Sequence, residues 1–225
     1  MIKRRHNLSL LSLGLTIMLT SLSWGSAQAA SVFINEIHYD NAGGDIGEAI
    51  EIAGPVGTDL SGWSLVLYNG SGGAVYDTIN LSGSILNQQN GFGTLSFSRA
   101  GIQNGSPDGL ALVDASSNVI QFLSYEGSFM AVGGAANGLT STDIGVSEPG
   151  TTPVGNSLQL TGTGTMYEDF TWAAAIPNTF GAVNTGQTFR ASAQQPVPEP
   201  STLLLLGSGL TGLSLWRWKH KQQPN

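Results

Sequence analysis

The chain has 225 residues, with 31 glycines and no cysteine, which excludes a disulfide scaffold, a thiol nucleophile and a cysteine-based zinc site. A hydrophobic content of 40 % permits one packed core, while only 10 % charged residues and so much glycine favour short strands joined by turns over long soluble helices. Charge is unevenly placed: residues 31–195 hold 14 acids, two bases (Arg99 and Arg190) and no lysine, a formal −12 that argues against nucleic-acid binding through a basic patch.

At the N-terminus, Lys3, Arg4 and Arg5 precede an apolar run from Leu8 to Trp24 and a small-residue site, Ala27-Gln28-Ala29. This order predicts a secretory signal peptide over residues 1–29, cleaved after Ala29. Because His6 and Asn7 follow the arginine pair, the Sec machinery is the expected exporter. An uncleaved anchor is the alternative.

Residues 30–190 have the length of one domain. Trp63, Leu65 and Leu67 alternate with Ser64, Val66 and Tyr68, and Gly93, Leu95 and Phe97 alternate with Thr94, Ser96 and Ser98. Further strands are expected over 31–37, 48–52, 76–81, 110–114 and 119–125. Asn69-Gly70-Ser71-Gly72-Gly73 and Ala115-Ser116-Ser117 read as hairpin turns. Seven or more short strands at this spacing predict an all-β, antiparallel β-sandwich. Residues 127–156 lack either periodicity and read as a long surface excursion.

The segment from Asn35 to Glu48 is the best place to look for chemistry. Asp40, Asn41, Asp45 and Glu48 offer oxygen ligands on a glycine-containing loop, the donor set that Ca²⁺ takes, although their spacing is not that of an EF-hand. The plainer reading is a solvated loop whose Asp and Asn side chains bond their own backbone. No other cofactor is expected. His38 is the single histidine between the two ends, and Glu36 or Asp40 would be its partner as a general base. One imidazole without cysteine makes a poor zinc site, no nucleophile elbow stands out, and no catalytic residue is assigned. Trp63 and Trp172 are expected in the core. Tyr68, on the face opposite Trp63, and Tyr39 are the aromatics expected to be exposed enough to stack on a glycan.

Ile34-Asn35-Glu36-Ile37, Glu48-Ala49-Ile50-Glu51-Ile52 and Asp59-Leu60-Ser61-Gly62-Trp63-Ser64-Leu65 together resemble the opening of a lamin-tail domain. Asp108-Gly109-Leu110-Ala111-Leu112-Val113, Val119 to Tyr125, Ser157-Leu158-Gln159-Leu160, Phe170-Thr171-Trp172, Pro177-Asn178 and Asn184-Thr185-Gly186-Gln187 continue the resemblance in order across residues 31–189. Ala49 and Gln121 depart from the family's usual aromatic and acid. The resemblance implies an immunoglobulin-like sandwich. In secreted bacterial proteins such domains often accompany a nuclease or phosphatase, for which this chain leaves no room.

Residues 191–200 (ASAQQPVPEP) form a polar, Pro-rich stalk, and residues 201–225 carry an apolar run followed by Arg217, Trp218, Lys219, His220 and Lys221. Sixteen residues from Ser201 to Trp216 would span about 24 Å as a transmembrane helix, with the basic cluster cytoplasmic. Pro198-Glu199-Pro200, the apolar run and the basic cluster of Arg217, Lys219 and Lys221 resemble the PEP-CTERM sorting signal of Gram-negative, exopolysaccharide-making bacteria. That resemblance implies an exosortase as partner, an inner-membrane intermediate, and delivery to the cell envelope or matrix. The function expected is a non-catalytic structural or adhesive module linked to exopolysaccharide. The alternatives are an accessory module for a secreted nuclease or phosphatase and a calcium-dependent adhesion module.

Overall fold

The computed structural model describes residues 32–191. Eleven strands lie in two sheets: β1 Phe33–His38, β2 Ala49–Pro55, β3 Ser64–Asn69, β4 Ala74–Asn80, β5 Phe92–Ser98, β6 Asp108–Val113, β7 Val119–Tyr125, β8 Thr142–Asp143, β9 Asn156–Gly164, β10 Phe170–Pro177 and β11 Gln187–Phe189. One sheet runs β10-β9-β1-β2-β5 with β11 added to β9, and the other runs β4-β3-β6-β7-β8. A single 3-10 turn, Tyr167–Asp169, is the helical content among the described residues. The architecture is an all-β, two-sheet sandwich. It departs from the purely antiparallel expectation at two short pairs, β11 with β9 and β7 with β8, which are parallel.

Alternation decides which side chains enter the core. Leu65 and Leu67 on β3 meet Leu110 and Leu112 on β6, Ile50 and Ile52 on β2, and Ile34 and Ile37 on β1 between the sheets. Trp63 packs on this core from a partly buried position, and Trp172 is 8 % exposed within it. Each fully buried residue of this size contributes about 1.5–3 kcal/mol of transfer free energy. Gln121 on β7 ties the sheets together, since its Oε1 accepts the Ile34 N–H at 2.7 Å.

Residues 127–156 are not the surface excursion their composition suggests. Phe129, Ala131 and Ala136 fold onto the outer face of the β4-β3-β6-β7-β8 sheet and enclose Val66, Tyr68, Ala111, Val113 and Phe122 in a second core. The apolar side chains responsible are too few and too irregularly spaced to show either period. Two glycines make this close approach possible. Gly73 and Gly134 adopt φ of 71° and 63°, and a Cβ would lie 2.1 Å from the Met130 carbonyl oxygen at the first and 2.6 Å from the Tyr68 hydroxyl at the second.

The C-terminal end is sealed by Phe189. Its ring stacks on Phe92 at 5.0 Å and meets Phe170 edge-on at 5.6 Å, and β11 pairs with β9 through Gln187, Thr188 and Phe189.

Candidate functional site

Two polar clusters flank the β10-β9-β1-β2-β5 sheet. The first is built on the 39–48 loop. His38 leaves the end of β1, and its Nδ1 lies 3.0 and 3.1 Å from the two carboxylate oxygens of Glu148. Glu148 also accepts the Tyr39 N–H at 2.7 Å and the Asp40 N–H at 3.1 Å through Oε2, while its own N–H donates to the Tyr39 hydroxyl. On the other ring edge, Nε2 stands 3.1 Å from both the Ile46 carbonyl and Asn41 Nδ2. With Nδ1–H donated to Glu148, the neutral ring accepts from Asn41 and the imidazolium donates to Ile46, so both protonation states are partnered. Burial alone would lower the His38 pKa, but the Glu148 hydrogen bond and charge outweigh it and leave the imidazole raised above its ordinary value. His38 is 1 % exposed, so the pair presents no face to a substrate. Its partner is Glu148, 110 residues away, and neither Glu36 nor Asp40.

The expected calcium ligands do not converge. Asp45 uses Oδ1 on the Asn41 N–H and Oδ2 on Asn104, and Asn41 turns its amide nitrogen to His38 and Ile46. Glu48 turns inward, where Oε2 accepts the Gly101 N–H at 2.7 Å. Asp40 is raised above the usual carboxylate range by its partial burial and then by Asp45. Among the described residues no three acid or histidine side chains are grouped to hold a metal ion. A groove of about 360 Å³ does open here, between the 45–48 loop and Ser98, Arg99 and Ala100.

The expected glycan-stacking aromatics are both buried. Tyr39 is stacked on Tyr125 with ring centroids 3.8 Å apart, and Tyr68 lies under the 129–136 segment, its hydroxyl accepting the Ala136 N–H at 2.9 Å. Burial raises the pKa of both phenols. The covering segments are remote in sequence, so strand alternation around Tyr68 gave no sign of them.

The second cluster was not anticipated as a unit. Asn35 and Glu36 of β1, Glu51 of β2 and Ser157 and Gln159 of β9 form a buried polar row on the sheet's outer face, closed over by residues 178–187. Glu36 accepts from Ser157 Oγ, the Thr179 N–H and the Thr179 hydroxyl. Glu51 accepts from Asn35 Nδ2 at 3.0 Å and the Gly181 N–H at 2.6 Å. Asn184 donates to the Asn35 and Leu160 carbonyls, both at 3.0 Å, and Gln187 donates to Asn35 Oδ1. Burial pushes Glu36 up and Glu51 to about 8, against the hydrogen bonds that pull them down. Glu51, Ser157 and Gln159 alternate with apolar neighbours and Asn35 and Glu36 are consecutive across a β-bulge, so the row looks solvent-facing until the closing segment is known.

The signal site (Ala27, Ala29), the sorting motif (Pro198, Glu199, Pro200), the basic cluster (Arg217, Lys219, Lys221) and the expected transmembrane helix lie outside the described residues. Among the described residues no helix is long and apolar enough to cross a membrane.

The PEP-CTERM protein-sorting motif matches residues 196–219. The motif implies an exported protein sorted by an exosortase to the bacterial cell-envelope surface. The match covers the C-terminal segment and none of the sandwich. No curated protein and no solved structure matches the chain.

Proposed function

We propose that the sandwich is a non-catalytic structural or adhesive module, carried to the envelope or matrix of a Gram-negative bacterium and acting in contact with exopolysaccharide. The observation that carries the reading is the sorting motif at residues 196–219, attached to a two-sheet domain whose one histidine is sealed from solvent. Export begins with Sec recognition of residues 1–29, and an exosortase acts at Pro198-Glu199-Pro200 after the apolar run and basic cluster have halted the chain in the inner membrane. The domain's formal −12 limits self-association by mutual repulsion.

The domain is read as lamin-tail-like and immunoglobulin-like. What supports this is that Asn35, Glu36, Glu51, Asn184 and Gln187, taken from separate pieces of the resemblance, meet in one buried network. The groove beside Asp45 and Glu48 favours small-ligand binding over calcium adhesion, because the carboxylates there are not grouped around one point.

Two measurements test the reading. Glu199→Ala is expected to leave the precursor uncleaved in an exosortase-bearing host, and unchanged maturation overturns the sorting step. Electrophoresis of the mature protein through gels loaded with the host's exopolysaccharide is expected to show retardation, and mobility matching albumin in loaded and unloaded gels overturns the glycan contact. Hydrolysis of DNA or phosphate esters by the purified protein, lost on changing His38, would establish the hydrolase alternative instead.

A further inference from the structure

The buried row on the outer face of the β10-β9-β1-β2-β5 sheet brings a hydroxyl, a carboxylate and a carboxamide to one point. Thr179 Oγ1 lies 2.9 Å from Glu36 Oε2, 3.1 Å from Gln159 Oε1 and 3.2 Å from Asn184 Oδ1. A hydroxyl has one hydrogen and can serve one acceptor at a time, so three acceptors crowd it beyond what it can satisfy. The orientation of the Gln159 amide is fixed, because Nε2 donates to the Pro177 carbonyl at 2.8 Å and to Ser157 Oγ at 3.0 Å. Ser157 Oγ in turn donates to Glu36 Oε1 at 2.5 Å and holds the carboxylate in place. Glu36, Ser157 and Gln159 are each 0 % exposed, so the amide carbon is shut off from solvent while a hydroxyl stands beside it.

These are the parts of an acyl transfer within one chain: a nucleophile, a base and an acyl donor. A C=O bond is about 1.23 Å long, which puts Gln159 Cδ at most about 4.3 Å from Thr179 Oγ1, within about 1 Å of the separation from which such attack proceeds. Burial pushes Glu36 above the usual carboxylate range, so its ionised form is the stronger base. We propose that Thr179 and Gln159 join in an intramolecular ester, with Glu36 as the base. The Thr179 hydroxyl proton passes to Glu36 Oε2 as Oγ1 bonds to Cδ. In the tetrahedral intermediate Oγ1 and Nε2 share that carbon, so the proton returns from Oε2 to Nε2, the Cδ–Nε2 bond breaks and ammonia leaves. The balance needs no other reactant, and each chain reacts once, in keeping with a module that turns nothing over. Ammonia is lost to bulk solvent, and the folded chain supplies the high effective concentration that the step requires. The bond ties β9 to the segment 178–187 that closes the row.

The test is mass spectrometry of the purified full chain. Trypsin and a glutamate-specific protease together cut after Glu126, Glu168 and Arg190, which puts Gln159 and Thr179 on separate fragments, 127–168 and 169–190. The two are expected to run as one species, lighter than their sum by one ammonia, and mild alkali is expected to split them and leave a glutamate at position 159. Thr179→Ser keeps the hydroxyl and is expected to keep the bond. Thr179→Val and Glu36→Gln are each expected to give separate fragments with no ammonia lost. The proposal is overturned if the parent's fragments separate at full mass, if the loss of ammonia is confined to one fragment, if Thr179→Val fragments stay joined, or if folded Glu36→Gln forms the bond as fully as the parent. Should Glu36→Gln fail to fold, the parent and Thr179→Val digests decide.

Discussion

Glu148 and Glu51 are both fully buried carboxylates that accept backbone N–H groups, the first in the His38 cluster and the second in the row closed over by residues 178–187. Glu148 lies against the His38 imidazole, whereas Glu51 has amides, a threonine and a second acid, Glu36, around it. In the first cluster the hydrogen bond and charge of Glu148 favour the protonated ring of His38. In the second, burial favours the neutral acid and pushes Glu51 up to about 8. One fold thus closes two loops over buried acids by opposite means, and substitutions at each separate the two.

The largest expected effect is at Glu148→Ala, which strips the acceptor from the His38 ring and from the Tyr39 and Asp40 N–H groups at once. Breaking a buried charged pair from one side costs about 3–5 kcal/mol, to be read from the midpoint shift in urea unfolding. A loss below about 1 kcal/mol would show that the His38 cluster is no stronger than a surface pair. Next comes Asn184→Ala, expected to cost about 2–3 kcal/mol by orphaning the Asn35 and Leu160 carbonyls.

The pH dependence distinguishes the clusters without removing either. Glu51 rises on folding from an ordinary 4.5 to about 8, so its protonated form favours the fold; that stability is complete below 4.5 and is lost as pH climbs to 8. His38 also rises on folding, from 6.5, so its contribution is complete below 6.5 and is lost as pH passes through the raised folded value. Both slopes run the same way, each at most about 1.4 kcal/mol per pH unit. Glu51→Gln is expected to reduce the slope from 4.5 up to 8, leaving the part due to Glu36, and His38→Gln to reduce it only above 6.5, with thermal melts across pH as the check. A parent chain that gains stability from pH 5 to pH 8 would contradict both. The smallest effect is expected at Tyr68→Phe, which removes the acceptor of the Ala136 N–H in the second core and costs about 1 kcal/mol in the same urea assay.

The strands were legible because alternation survives where one sheet face meets the core, as at Leu65 and Leu67, and Val119–Tyr125 falls where its pattern places it. Coverings were not legible. Tyr68 alternates onto the outer face as expected and is nonetheless buried, because Phe129 and Ala131 come from a segment with no period of its own. Glu148 gave the sequence no sign that it serves His38, since a single acid before Pro149-Gly150 has no local pattern to mark it. The residue types of the 40–48 loop showed an oxygen donor set, but its carboxylates point apart, a matter of backbone path that residue types do not carry.

The seam at β11 gives the domain a mechanical character. The chain that leads to the sorting segment departs from Ala191, so a pull from the C-terminal side falls first on a three-residue parallel ladder and on the Arg190 N–H donated to the Gly164 carbonyl. Behind that short ladder sits the Phe189 ring, gripped by Phe92 and Phe170, with its backbone carbonyl accepting from Asn90 Nδ2 at 2.7 Å. Load from that side therefore passes straight to β9 through this ladder, and the Phe189 plug holds β11 in place while it does so.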